Sequence, residues 1–183
     1  MAAPHTKKSK LKLRRSPAKE RLLSHVARDG SVAMVDVAEK AVTSRFAVAE
    51  AEVVMAPRVL RLIMSQSMKK GDVLVTAQIA GILAAKNTSQ LIPLCHPLPL
   101  THIDVRCEAQ SPDRVRVRCT AACNAQTGVE MEALTGAAVA ALTIYDMCKA
   151  ADRGIVIERL ALVEKAGGKS GHYRRKHIGR PTD

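Results

Sequence analysis

The chain has 183 residues, 29 Lys and Arg against 17 Asp and Glu, and a formal net charge of +12. That length supports one domain with a substantial core; with no Trp, one Phe and two Tyr, the core must be aliphatic and few rings remain for stacking bases. No apolar run reaches membrane-spanning length and no signal-peptide h-region follows the basic start, so a cytoplasmic protein is expected.

The positive excess is uneven. Residues 1–21 hold eight Lys and Arg against Glu20, and residues 165–183 hold six against Asp183, leaving 15 basic and 15 acidic residues for 22–164. This predicts a disordered basic extension over 1–21, a single domain over 22–166 and a basic tail over 167–183. A loose nucleic-acid or membrane arm is the alternative use of such ends. Five cysteines (Cys95, Cys107, Cys119, Cys123, Cys148) form no CxxC pair, which argues for reduced, largely buried thiols over a disulfide framework or a ribbon-type zinc site.

In chain order, residues 22–45 show no clear period and read as an irregular lead-in. Phe46–Met55 alternates as a strand. Pro57 suits the first turn of a helix over Arg58–Met68 with Leu60, Ile63 and Met64 on one face. Gly71 breaks it, and Asp72 is an N-cap for a second helix, Val73–Thr88, whose Val75, Ile79, Ile82 and Leu83 recur with helical spacing. Pro93, Pro97 and Pro99 exclude regular structure over Ile92–Leu100. Ile103, Val105 and Cys107, then Val115, Val117 and Cys119, alternate with charged residues on either side of a Ser111-Pro112-Asp113 turn, which reads as a hairpin. A helix over Thr127–Ala150 follows, then a last strand over Ile155–Val163.

With the first two helices counted as one crossover, the order is β-α-β-β-α-β. The expected fold is α+β and ferredoxin-like, an antiparallel sheet with helices on one face. The other face, lined by Arg, is left for solvent or another subunit.

The Thr127–Ala150 helix is the most informative stretch. Ala133–Tyr145 carries no charge, Glu130 and Glu132 precede it, and Asp146 and Lys149 follow. It reads as a helix buried on several sides, with Gly136 admitting a close neighbour. Asp146 and Lys149 share one face at i and i+3, which fits either a weak last-turn ion pair or an acid and base beside a cleft. By helix rise the two charged ends lie roughly 20 Å apart, so one subunit cannot bring both to one site.

Two further constellations stand out. Leu94-Cys95-His96-Pro97 is a rigid loop in which His96 is either structural or a proton shuttle, while adjacency argues against a Cys-His nucleophile dyad. Lys69-Lys70-Gly71-Asp72 puts cations at a helix junction suited to phosphate. Gly167-Gly168-Lys169-Ser170-Gly171 lacks the upstream glycine of a phosphate loop and reads as a flexible basic tail, with one phosphate contact open to Lys165 or Lys169.

The segments MVDVAEKAVTSR, KGDVLVTAQIAGILAAKNTSQLIPLCHPLPLTHIDV, TGVEMEALTGAAVAALTIYDMCKA and KAGGKSG, in this order over about residues 25–173, resemble the MoaC family of cyclic pyranopterin monophosphate synthases of molybdenum cofactor biosynthesis. The resemblance implies a lyase that rearranges 3′,8-cyclo-7,8-dihydro-GTP, supplied by a radical-SAM GTP cyclase, to cyclic pyranopterin monophosphate with release of pyrophosphate. It also implies a homo-oligomer, a hexamer built as a trimer of dimers, with pockets at a subunit interface.

Carried over by motif, Asp146, Lys149 and Lys70 are the implied catalytic residues. Leu94, Cys95, His96, Glu130, Met131, Glu132, Lys165 and Arg45 are the implied substrate-binding residues. No cofactor or resident metal is implied; magnesium carried by the triphosphate is compatible but not demanded. Cations suit a substrate of about four negative charges, and Lys149 beside other cations is expected to have a lowered pKa and to serve as base. No membrane or nucleic-acid partner is implied; the rival reading, a nucleic-acid module, predicts steeply salt-dependent binding that is lost with residues 1–21.

Overall fold

The computed structural model describes residue 25, residues 30–65 and residues 71–176. The chain divides at Ala33, and among the described residues up to that point the main-chain N–H of Ala33 donates to the His25 carbonyl at 3.1 Å. The basic extension over 1–21 lies outside the described residues.

The second unit, from Met34 onward, is α+β. Its strands are β1 (Thr43–Val54), β2 (Leu100–Gln110), β3 (Arg114–Ala125), β4 (Val156–Ala166) and β5 (Tyr173–Arg174). They form one sheet in the order β2-β3-β1-β4-β5, with every adjacent pair antiparallel. The helices are α1 (Pro57–Met64), α2 (Val73–Lys86), α3 (Thr88–Leu91) and α4 (Glu130–Cys148).

Strand alternation decides what the sheet buries. Ala47, Ala49, Ala51 and Val53 of β1 lie opposite Ala121, Cys119, Val117 and Val115 of β3, and all eight are fully buried. α4 packs across β1, β3 and β4, and α2 packs on α4 and β2. The intervening positions of the sheet carry cross-strand ion pairs: Arg118 with Glu50 at 2.5 Å, and Arg114 and Arg159 with Glu52 at 2.6 and 3.7 Å. Those pairs hold Arg114, Arg118 and Arg159 of that face within the chain.

The helix layer is packed by small residues. A methyl on Gly81 of α2 would stand 2.8 Å from the Gly136 carbonyl oxygen, and one on Gly136 would stand 2.6 Å from Cys119 Sγ. The two helices and the sheet therefore touch nearly backbone to backbone, where dispersion contacts are densest. Gly136 admits the close neighbours that the sequence requires, Gly81 on one side and Cys119 on the other.

The core face of α2 differs from the one its large residues mark. Val73, Ala77, Gly81, Ala84 and Ala85 are buried, whereas Val75, Ile79 and Leu83 are 47%, 55% and 54% exposed. In α1, Val59 joins Leu60 and Ile63 inside, while Met64 is exposed. The expected extension of this helix to Met68 reaches residues outside the described set.

Element ends follow local chemistry. Asp72 Oδ1 accepts from the N–H groups of Leu74 and Val75 at 2.9 and 3.1 Å, as an N-cap should. The helix then stops at Lys86, two residues before the expected end. Asn87 Nδ2 donates to the Leu83 carbonyl, which also accepts the Asn87 main-chain N–H, and Thr88 Oγ1 donates to the Ala85 carbonyl, so side chains add to the bonds of the last turn. α4 likewise occupies the interior of the expected 127–150 span. β4 runs on to Ala166, and the described part of the expected tail folds back so that Tyr173 and Arg174 pair with Lys165 and Glu164.

None of the five cysteines is in a disulfide. Burial pushes Cys107 and Cys119 up to about 12, so neither is a thiolate at neutral pH. Among the described residues no helix is long and apolar enough to cross a membrane.

Candidate active site

One end of the sheet holds a cavity. The start of β1, the end of β3, the first turn of α4 and the turn that follows β4 converge there because antiparallel neighbours begin and end together. They enclose a cavity of about 560 Å³ bordered by Lys40, Arg45, Lys165 and Lys169 as cations and by Glu130 as the acid. Thr43 Oγ1, buried without a hydrogen-bond partner among the described residues, belongs to the same wall.

The charged groups are fixed by short contacts. Lys165 Nζ donates to Glu130 Oε1 at 2.6 Å and to Ser170 Oγ at 3.3 Å. Both members of the Lys165–Glu130 pair are about three-quarters buried at the side chain, 26% exposed each. Glu130 opens α4, where the positive end of the helix dipole favours a carboxylate. Arg45 donates from Nε to the Ala125 carbonyl at 3.4 Å and from Nη2 to the Gln126 carbonyl at 3.3 Å.

Behind this wall lies a buried carboxyl. Glu132 is 4% exposed, and burial raises its pKa from the ordinary 4.5 to about 6; the Glu130 charge adds to the rise and its own main-chain N–H opposes it. Burial raises the Cys95 thiol, and the Glu132 charge raises it further. The Cys123 thiol is raised chiefly by burial, with Glu132 and Glu130 pushing it up and Arg45 pulling it down. Cys95, Cys123, Glu130, Glu132 and Arg45 therefore share one electrostatic neighbourhood at the start of α4. Leu94, Cys95 and His96 are half-buried in the irregular segment before β2, and Met131 is half-buried in the first turn of α4.

Asp146 and Lys149 are elsewhere. They lie at the other end of α4, Asp146 about 21–24 Å from Glu132 and Glu130 by helix rise and Lys149 about 26–29 Å. Lys149 Nζ meets Asp146 Oδ1 at 2.5 Å, and the two side chains are 53% and 60% exposed. The hydrogen bond to Asp146, and then its charge, raise the Lys149 pKa. This corrects the expectation of a lowered value, because the nearest charge is an anion on the same turn. Lys70, the third expected catalytic residue, lies outside the described residues.

The structure thus gathers Arg45, Glu130 and Lys165 on the cavity, sets Glu132 and Cys95 behind it, and leaves Asp146 and Lys149 remote. Lys40, Thr43 and the Gly167-Gly168 turn are additions to the residues read from sequence. The signal for the turn was the KAGGKSG segment, whose glycines looked like flexibility. Lys40 and Thr43 had no signal beyond their place in MVDVAEKAVTSR. Among the described residues, no group of three or more His, Cys, Asp or Glu is placed to hold a metal ion.

A family model described as the MoaC family matches residues 34–168. The match begins ahead of β1, takes in the cavity lining except Lys169 and Ser170, both ends of α4 and all of β4, and stops at Gly168 of the turn beyond. The chain belongs to the MoaC family, and its place is as an enzyme of molybdenum cofactor biosynthesis.

Proposed function

We propose that the chain is a cyclic pyranopterin monophosphate synthase, a lyase that converts 3′,8-cyclo-7,8-dihydro-GTP to cyclic pyranopterin monophosphate and pyrophosphate. The observation that carries this reading is the cavity where α4 begins, whose four bordering cations face one carboxylate already paired with Lys165. Such a wall suits a triphosphate of about four negative charges. A sugar hydroxyl attacks the innermost phosphorus, the new P–O bond closes the cyclic phosphate, and the bond to the departing pyrophosphate breaks. Arg45 and Lys165 stabilise the charge that collects on the leaving group.

The ring opening and closure need proton donors and acceptors. Asp146 and Lys149, with Lys70 and His96, supply them in this reading. Asp146 raises the Lys149 pKa and so keeps it protonated; in this reading Lys149 is the donor of the pair and Asp146 the acceptor. Leu94, Cys95, Met131 and Glu132 frame the base. Magnesium would arrive with the triphosphate, and the upstream radical-SAM GTP cyclase supplies the substrate.

The length of α4 supports an oligomeric active unit. Its two charged ends serve one reaction only if one copy contributes the cavity and a neighbour contributes Asp146 and Lys149. The exposed stripe of Val75, Ile79 and Leu83 on α2 supports self-association, and a trimer of dimers is the assembly we infer. The strand order β2-β3-β1-β4 likewise supports a ferredoxin-like description of the fold.

The direct test is incubation of the purified protein with the cyclic dihydro-GTP, scoring pyrophosphate and the pterin product. Both are expected in equal amounts, with or without residues 1–21. Absence of product under conditions where a proven synthase works contradicts the proposal, and binding of nucleic acid that disappears with residues 1–21 would favour the rival.

A further inference from the structure

The Gly167-Gly168-Lys169-Ser170 run ends like a phosphate loop but opens no helix; it follows β4 and leads to β5. What its backbone touches is a side chain. β4 pairs with β1 as far as Ala166 opposite Phe46, so the next two residues lie beside Ser44 and Arg45. Gly168 has φ +68°, and a methyl built on it would overlap Cζ and Nη1 of Arg45 and stand 2.7 Å from Nη2.

On its other side the guanidinium is tied to the carbonyls of Ala125 and Gln126, which close β3. It is therefore held between a glycine main chain and two carbonyls. Those bonds use two of the five N–H groups of a guanidinium and leave the others for an anion. A fixed arginine binds an anion with little further loss of side-chain freedom.

We propose that Gly168 is a positioning residue for Arg45: its missing side chain is the space that lets the guanidinium lie against the turn and border the cavity. The purpose of this clamp rests on the reading of the cavity as a phosphate site. The molecule contains its own control. Gly171 has nearly the same φ, +65°, with no atom within 4 Å of a built methyl. Alanine at either position meets a positive-φ penalty, and only at Gly168 does it also displace Arg45.

The experiment compares wild type, Gly168→Ala, Gly171→Ala, Arg45→Lys and the Gly168→Ala/Arg45→Lys double variant. Three quantities are read: kcat and KM for the cyclic dihydro-GTP, affinity for inorganic pyrophosphate by calorimetry, and the NMR signal of Arg45 Nε–H, assigned by its loss in Arg45→Lys. Gly168→Ala is expected to raise KM and weaken pyrophosphate about tenfold, the scale of one lost charge-assisted hydrogen bond, with a smaller change in kcat and a shifted or broadened Nε–H signal. Gly171→Ala is expected to leave all three within about twofold of wild type, and Gly168→Ala to cost less than about twofold once Arg45 is Lys, because the coupled term is gone.

Equal losses from the two alanines, or the same loss from Gly168→Ala in both backgrounds, overturn the clamp. If Gly168→Ala alone fails to fold, folding of the double variant supports the clamp and its failure overturns it. A wild type that neither turns over the substrate nor binds pyrophosphate overturns the phosphate reading and the clamp's purpose together. Pyrophosphate binding to wild type with an unmoved Nε–H signal in Gly168→Ala overturns the clamp alone.

Discussion

The two ends of α4 differ in how they are built. At the first turn, Glu132 is buried, Glu130 is locked to Lys165, and Arg45 is held by carbonyls and a glycine turn around a cavity. At the last turn, Asp146 and Lys149 stand more than half exposed with a 2.5 Å contact between them. An exposed ion pair at i,i+3 adds little to folding, because solvent screens it. The first end walls a cavity and the second is an exposed pair. In the function we propose, each chain carries halves of two different sites, which a neighbour completes.

The largest effect that tests this contrast is catalytic. Asp146→Ala and Lys149→Ala are each expected to lower turnover by about 10²–10⁴-fold, the usual scale for loss of a general acid or base. Their stability in urea should stay within about 0.5 kcal/mol of wild type, as for exposed surface positions. A pair that matters to folding and not to turnover would reverse the assignment of the two ends.

A smaller effect belongs to the buried end. Glu132 has a folded-state pKa of about 6 against an ordinary 4.5, so between these values the folded chain binds more protons than the unfolded one. Stability from this group is then complete below about pH 4.5 and is lost as pH rises to about 6, by no more than about 2 kcal/mol. Glu132→Gln, which stays neutral, should remove that loss and flatten the profile. Urea unfolding at pH 4.5 and pH 7 checks the sign; an unchanged pH dependence in the variant would mean that the carboxyl is not desolvated in the folded chain.

Much of this was legible because period and punctuation are local. Alternation marked β2 and β3, Asp72 marked the start of α2, and the uncharged interior of α4 marked a helix covered by neighbours. Helix rise alone separated Glu130 from Asp146. The inward face of α2 was not legible, because size suggests Val75, Ile79 and Leu83 whereas the core selects Ala77, Gly81 and Ala84 for close approach to α4. Such a choice depends on a partner helix more than fifty residues away in the chain. The turn after β4 was missed for a similar reason: its glycines answer to Arg45 on another strand, and composition alone cannot distinguish that from flexibility. The pKa of Lys149 went the other way from expectation because the cations invoked for it are not on its own turn, and Asp146 is.

The central claim, that each active site joins the first turn of one α4 to the last turn of another, is most directly tested by complementation. Lys165→Ala removes a cavity cation and Asp146→Ala removes the remote acid, and each is expected to be inactive alone. Co-expressed or refolded together, the two variants form mixed pairs in which one of two sites is intact. Random pairing across a two-fold interface then restores about a quarter of wild-type turnover. Mixed assemblies that form, as native mass spectrometry would establish, and yet recover no activity would contradict the shared site.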